Sequence, residues 1–273
     1  MLLITKWGVF RVYDDLKGKI VVVTGASSGI GSAIADRFSM EGAKTYNLDL
    51  APPKKEINKN VRFIKCDVSS EDAVRNAVSE ISSRENRIDI LVNNAGVESF
   101  GSVHETEEKD WDRILGTNLR GSFLVSKYCL PHMMEKGGVI EFLASIQSMM
   151  IQKRLAAYVT SKHGVIGLMK SIALDYAPKV RSIAICPGSV RTPLLEWTAV
   201  EEVGNDTAKI NEKFEEWGKL YPMKRIAEPE EIASLAAFLA SNEAAYITGI
   251  SIKMDGGLSV FLQESVPEDQ GEK

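Results

Sequence analysis

The chain of 273 residues has little of what staples or metallates a small fold: three cysteines and three histidines. Cys66, Cys129 and Cys186 lie far apart, odd in number and outside any CxxC or Cys/His spacing. They argue against a disulfide framework and against a zinc site, and read as small core hydrophobes. Neither sign of charge dominates, with 33 Lys and Arg against 37 Asp and Glu and a net charge of -4. That balance gives no general attraction to nucleic acid or anionic membranes, so the expected partner is a small molecule. No apolar run approaches the ~18 residues of a membrane span. In MLLITKWGVF the short apolar stretch is cut by Lys6, and no small-residue cleavage site follows. Nine prolines and 21 glycines are too few for a fibrous or low-complexity chain, and 44% hydrophobic residues exclude a disordered one. A soluble, cytoplasmic protein is expected.

Short β-rich apolar runs alternate with longer amphipathic segments. The strand candidates are Ile20 to Val23, Lys44 to Asp49, Arg62 to Cys66, Ile88 to Val92, Val139 to Leu143, Val180 to Ile185 and Ile250 to Met254. Helical patterns cover Ile30 to Met40, Ala73 to Arg84, Trp111 to Met134, Ala156 to Tyr176 and Pro229 to Ala240. Continuous apolar strands separated by helices predict an α/β fold: a doubly wound, Rossmann-type parallel sheet of about seven strands, with helices on both faces. One domain is expected over residues 1–273. Thr192 to Pro222 departs from the rhythm as a polar, charge-rich insertion with scattered Trp197, Phe214 and Trp217, and is expected to be a lid or binding loop. A tail from Leu258 to Lys273 starts apolar and ends acidic. Its apolar start is expected to build an oligomer interface or close a neighbouring pocket.

The first strand runs into TGASSGIG, Thr24 to Gly31, which opens a helix. Gly25 allows the sharp turn, Gly29 the approach of a pyrophosphate, and Gly31 close packing of helix on strand, while the free N–H groups of the helix start attract phosphate. Asp49 ends the second strand, where a carboxylate takes both hydroxyls of an adenosine ribose and repels a 2′-phosphate. Ser28 brings no positive charge to rescue that phosphate. NAD is therefore favoured over NADP, with Lys54 and Lys55 close enough to soften the preference. Further on, Tyr158 and Lys162 are four apart in a helical segment and share one face, so the ammonium is expected to lower the phenol's pKa by stabilising phenolate. His163 adjoins Lys162 but points about 100° away, which suits packing or solvent.

These elements occur in an order that carries a resemblance. TGASSGIG, NNAG at Asn93 to Gly96, Asn118 in GTNLRG, Ser145, YVTSK at Tyr158 to Lys162, and Pro187-Gly188 followed by Thr192 together resemble the short-chain dehydrogenase/reductase family, over about Lys17 to Gly257. The resemblance implies a nicotinamide cofactor and, as in most members, a homotetramer; no metal is expected, since His104, His132 and His163 form no ligand cluster. It makes Tyr158 the proton acceptor, Lys162 the contact to the nicotinamide ribose, Ser145 the orienter of the substrate hydroxyl, and Asn118 the holder of a water in a proton relay. Cofactor contacts are implied at Gly25, Ser28, Gly29, Ile30, Gly31, Asp49, Asp67, Val68, Asn94, Ala95, Gly96, Tyr158, Lys162, Pro187, Gly188, Val190 and Thr192. Among them Asp67 meets the adenine, Asn94 and Ala95 the adenosine side, and Thr192 the carboxamide. Glu141 and Ala144 depart from the commoner Asn and Ser, a change that touches only strand packing.

Glu98 follows NNAGV, beside the expected nicotinamide position. A carboxylate buried there needs donors, which sugar hydroxyls or Gln147 can supply. NNAGVE, WDRILGTNL and YITGISIKMDGG are similar to the glucose and aldohexose dehydrogenases of the family, which implies oxidation of an aldose at its anomeric hydroxyl to a lactone. The bland alternative pairs Glu98 with a base such as Arg154 or leaves it in solvent. Two other functions stay open: reduction of a 3-oxoacyl thioester or small ketone, and a non-catalytic nucleotide-binding scaffold. Glu98 and the NADP-unfriendly Asp49 speak against the first, the intact Ser145, Tyr158 and Lys162 against the second.

Overall fold

Residues 3–5, 8–10, 13–53 and 60–261 are described by the computed structural model. After a hairpin of β1 (Leu3–Thr5) and β2 (Gly8–Phe10), the chain enters its main sheet at β3 (Ile20–Thr24). There follow α1 (Gly29–Met40), β4 (Lys44–Asp49), β5 (Val61–Lys65), α2 (Glu71–Glu85), β6 (Ile90–Asn93), α3 (Glu108–Leu115) and α4 (Ser122–Cys129). Then come β7 (Gly138–Leu143), α5 (Ala156–Asp175), β8 (Val180–Pro187), α6 (Pro193–Val203), α7 (Thr207–Lys219), α8 (Pro229–Ala240) and β9 (Ser251–Met254). The sheet has seven strands in the order β5-β4-β3-β6-β7-β8-β9, and every pair is parallel. This is the expected doubly wound Rossmann-type sheet. Its strand order reverses at β3 and β6, so a crevice opens beyond the carboxyl ends of those two strands.

The strands read as unbroken apolar runs because alternate side chains enter two different cores. Val22, Leu91, Ile140 and Phe142 pack against α2, α4 and α5, while Val21, Val23, Val92, Ile183 and Ile185 pack against α1 and α8. Cys66, Cys129 and Cys186 are free and buried among these residues. No helix among the described residues is long and apolar enough to cross a membrane.

Three expectations are corrected. The polar segment after Thr192 is helical. Ile210 and Phe214 recur one turn apart on α7 and meet Ala199 of α6 in a small third core, with Trp217 packed beside it. The single helix expected from Trp111 to Met134 is instead α3 and α4 joined by a π-helical stretch, Gly116–Gly121, and a final 3-10 turn. Glu141, expected to matter only for packing, is wholly buried and neither carboxyl oxygen has a hydrogen-bond partner among the described residues. Of the tail, Leu258–Val260 form a 3-10 turn, and residues beyond 261 lie outside the described ones.

Candidate active site

The crevice at the switch point is floored by the turn from β3 into α1. Gly25 adopts φ +65°, and a Cβ there would sit 2.9 Å from the Ala95 backbone. At Gly31 an added Cβ would come within 2.4 Å of the Gly25 carbonyl, so only glycine lets α1 start so close to the strand. Ser28 is the extended N-cap of α1 but places no side-chain bond on its amides, which leaves the helix start open to an anion. Asn94 donates to the Thr24 and Gly25 carbonyls at 2.9 and 3.0 Å and so welds β6 to the turn. Asn47, which sequence reasoning missed, braces the other side: fully buried, it accepts from Ala26 N–H at 3.1 Å and donates to Ser27 Oγ at 2.9 Å. Its only sequence signal is a polar residue in the middle of an otherwise buried strand.

Asp49 closes the far end of this cleft. Its two oxygens accept the Ser27 and Leu50 amides at 2.9 and 2.7 Å, which fixes the carboxylate and leaves each oxygen a lone pair. Asp67 accepts from the Ser69 amide and hydroxyl at 2.9 and 2.7 Å. The cleft, about 320 Å³, is lined by Gly25, Ser28, Gly29, Ile30, Asp49, Asp67, Val68, Asn94, Ala95, Gly96, Tyr158, Lys162, Pro187 and Thr192. Gly31 packs behind it. Gly188 and Val190 fall instead on an adjoining cavity of about 340 Å³, lined also by Glu98, Ser145, Gln147, Thr198 and Trp217. Tyr158, Pro187 and Thr192 line both and mark the seam. Lys54 and Lys55 lie outside the described residues.

At the seam, Tyr158 and Lys162 rise from α5 on one face, the Lys162 Nζ 5.6 Å from the Tyr158 ring centre. Lys162 is buried, donates to the Leu143 carbonyl at 2.7 Å, and burial pushes its ammonium down to about 8. The phenol does not follow the sequence expectation. Burial raises the Tyr158 pKa and the charge of Glu98 raises it further, with only the Ser145 hydroxyl pulling it down. Tyr158 keeps an exposed edge on the cavity, so water there tempers that desolvation. Ser145 caps the turn after β7 and accepts the Gln147 amide at 3.1 Å.

Asn118 sits in the π-helical stretch, a distortion often found at functional sites. Its side chain is engaged by protein: Oδ1 accepts Val97 N–H at 2.8 Å, and Nδ2 donates to Val97 O at 3.0 Å and to Ser161 Oγ at 2.9 Å. Any water it holds therefore falls to its main-chain carbonyl, which already accepts the Ser122 hydroxyl at 2.7 Å. Thr192 caps α6 by accepting the Leu195 amide at 3.2 Å and still has a proton to give.

Glu98 is half-buried in the second cavity. Burial lifts its carboxyl above the usual range, partly offset by the Thr198 hydroxyl and the Lys162 charge. Arg154 does not pair with it but with Glu105, at 3.0 Å. Gln147 does not serve it either, its amide being turned to Gln152. The donor is Thr198 of α6 at 2.9 Å, which no sequence signal could have found. His163 bonds the Val159 carbonyl on its own helix, away from the site.

A dinucleotide-shaped cleft meeting a buried Ser-Tyr-Lys cluster points to hydride transfer at a carbon bearing oxygen. The family model described as Enoyl-(Acyl carrier protein) reductase matches residues 25–259. The chain belongs to the short-chain dehydrogenase/reductase family. It is thus an oxidoreductase of a family that uses NAD or NADP. The "Uncharacterized oxidoreductase YxbG" of Bacillus subtilis is 37% identical, covering 90% of this chain and 93% of its own. Oxidoreductase UcpA of Salmonella typhimurium is 38% identical over 92% and 97%. Ligand-free Thermoplasma acidophilum aldohexose dehydrogenase superposes with a TM-score of 0.90 at 46% identity, covering 94% of this chain and all of that one, 100%. The crystal structure of gox2181 gives a TM-score of 0.80 at 27% identity, over 92% and 100%.

Proposed function

We propose that this short-chain dehydrogenase/reductase oxidises an aldose at its anomeric hydroxyl, with NAD as acceptor and the aldonolactone as product. The carrying observation is Glu98: a half-buried carboxylate in the cavity shared with Ser145 and Tyr158, with one donor among the described residues and room for hydroxyls. An acyl chain would want apolar walls there, whereas vicinal hydroxyls offer the donors a buried carboxylate needs. Likeness to the Thermoplasma aldohexose dehydrogenase supports the same substrate class.

The first cleft fits the nicotinamide dinucleotide. Its glycine turn would be filled by a Cβ, the α1 amides are uncapped, and Asp49 keeps two lone pairs for ribose hydroxyls. The carboxylate there favours NAD, because a 2′-phosphate would meet its charge. Ser28, Gly29 and Ile30 would hold the pyrophosphate, Asp67 and Val68 the adenine, Thr192 and Val190 the carboxamide. A nicotinamide held in this cleft would supply the hydride acceptor for oxidation at the anomeric carbon.

The protein's own part is proton management. Ser145 orients the anomeric hydroxyl, and the Tyr158 oxygen takes its proton as the C–H bond breaks and the C=O bond forms. Lys162, buried and held by the Leu143 carbonyl, keeps its ammonium 5.6 Å from the Tyr158 ring centre, while the Ser145 hydroxyl is what offsets burial and the Glu98 charge at the phenol. The proton would then leave the Tyr158 oxygen through water, one molecule of which the Asn118 carbonyl would position as acceptor.

The reading includes one nucleotide-binding domain covered on the substrate side by α6 and α7, a cytoplasmic location, and a homotetramer. The exposed Tyr246 and Ile250 beside the edge strand β9 support assembly, to be checked as a native mass about four times the 30.0 kDa chain. A panel of aldoses assayed with NAD and with NADP tests the activity. Turnover of aldoses with NAD is expected, and Glu98→Gln should raise the aldose KM about tenfold, the worth of a hydrogen bond to a charged group. Turnover confined to oxoacyl or small-ketone substrates with NADPH, the activity nearer the matched family model's description, would replace it.

A further inference from the structure

The Thr198 hydroxyl has one proton and two acceptors within reach. Glu98 Oε1 lies at 2.9 Å and the Leu194 carbonyl, one turn back on α6, at 3.2 Å. The first bond ties α6 to the segment after β6, and the second keeps the proton satisfied when α6 moves away. Beside it Phe100 stacks on Trp197, with 6.3 Å between ring centres and 15° between planes. Otherwise α6 packs on α7, and their shared core of Ala199, Ile210 and Phe214 is separate from the two cores that hold the sheet. The helix can therefore shift without opening the main core.

We propose that Thr198 is a positioning residue that latches α6 over the substrate cavity through Glu98, and that a polyhydroxyl substrate on the same carboxylate tightens the latch. This rests on the aldose reading for the identity of the substrate. Thr198 holds Oε1, and no other donor from the described residues reaches the carboxylate, so Oε2 remains for a substrate hydroxyl. Each partner fixes the Glu98 rotamer that the other would otherwise have to order, and such coupling is reciprocal.

Thr198→Val keeps the side chain's volume and removes its hydroxyl, whereas Thr198→Ser keeps the hydroxyl. Thr198→Val should raise the aldose KM about tenfold, with kcat within about threefold and the KM for NAD within about twofold. Thr198→Ser should behave as wild type. Equal losses for aldose and NAD, or the same loss in Thr198→Ser, would mean a merely structural role and overturn the latch. A second measurement needs no sugar: amide hydrogen exchange across residues 193–203 of the free enzyme. Thr198→Val and Glu98→Ala should each speed it, and the double variant should be no faster than either single one, because both remove the same bond. Unchanged exchange, or additive effects, overturns the latch. If no aldose is turned over, the proposed activity fails while exchange still decides the latch. If aldoses are turned over and Thr198→Val changes neither KM nor exchange, the latch fails and the activity stands.

Discussion

Glu141 occupies the middle of β7, with Val92 and Ile183 as its neighbours across the sheet, and has no exposed surface. Neither oxygen finds a donor among the described residues, and Arg181, the nearby cation, spends its guanidinium on the Leu239, Ser241 and Ile247 carbonyls. Burial therefore pushes the carboxyl well above its ordinary pKa, and the Arg181 charge offsets only part of this. The folded state keeps a proton that the unfolded chain releases near pH ~4.3. Stability is thus fully present below that pH and falls by about 1.4 kcal/mol per pH unit above it, until the raised folded pKa is reached. Glu141→Met keeps an unbranched side chain of similar length and removes both the titration and the unpartnered polar atoms. Each such atom costs about 1–3 kcal/mol, so the variant should be more stable by about 2–6 kcal/mol at neutral pH. Urea unfolding at one fixed protein concentration, at pH 5 and pH 8, measures this, and the gap should widen at the higher pH. A variant less stable than wild type, or a gap that does not depend on pH, would show that the carboxyl is partnered and ionised, and would refute the reasoning.

Two further changes probe the cofactor cleft. Asp49→Ser removes the carboxylate expected to repel a 2′-phosphate, so kcat/KM with NADP should rise relative to NAD by at least about tenfold; an unchanged ratio means that specificity is set elsewhere. Asn47→Leu deprives the Ala26 amide and Ser27 hydroxyl of their buried partner. NADH binding, followed by fluorescence titration, should weaken about tenfold, and an unaltered Kd would remove Asn47 from the role of brace.

The sheet was legible because runs such as Ile20 to Val23 and Val139 to Leu143 are apolar on both faces, as a strand covered by helices on both sides requires. The glycine turn was legible because steric demands at Gly25 and Gly31 allow few other residues. α6 and α7 escaped detection: their apolar residues, Ala199, Ile210 and Phe214, are diluted by charges that face solvent. The Glu98 contact escaped because its donor, Thr198, belongs to a different element that only the fold brings near. The sign of the Tyr158 shift was misjudged for a related reason. Helical spacing puts Lys162 on its face, but the burial and the Glu98 charge that oppose ionisation arise from three-dimensional packing. Glu141 in VIEFLAS gave no hint of its isolation, since a strand pattern does not report whether a buried carboxyl finds donors.

The claim on which the rest depends is that the Tyr158 oxygen receives the substrate proton. Its most direct test is aldose turnover by Tyr158→Phe, with NADH affinity measured on the same preparation. The account predicts a fall in kcat of about 10²–10⁴, the worth of a positioned general base, with the NADH Kd within about twofold of wild type. Turnover close to wild type in that variant would contradict it.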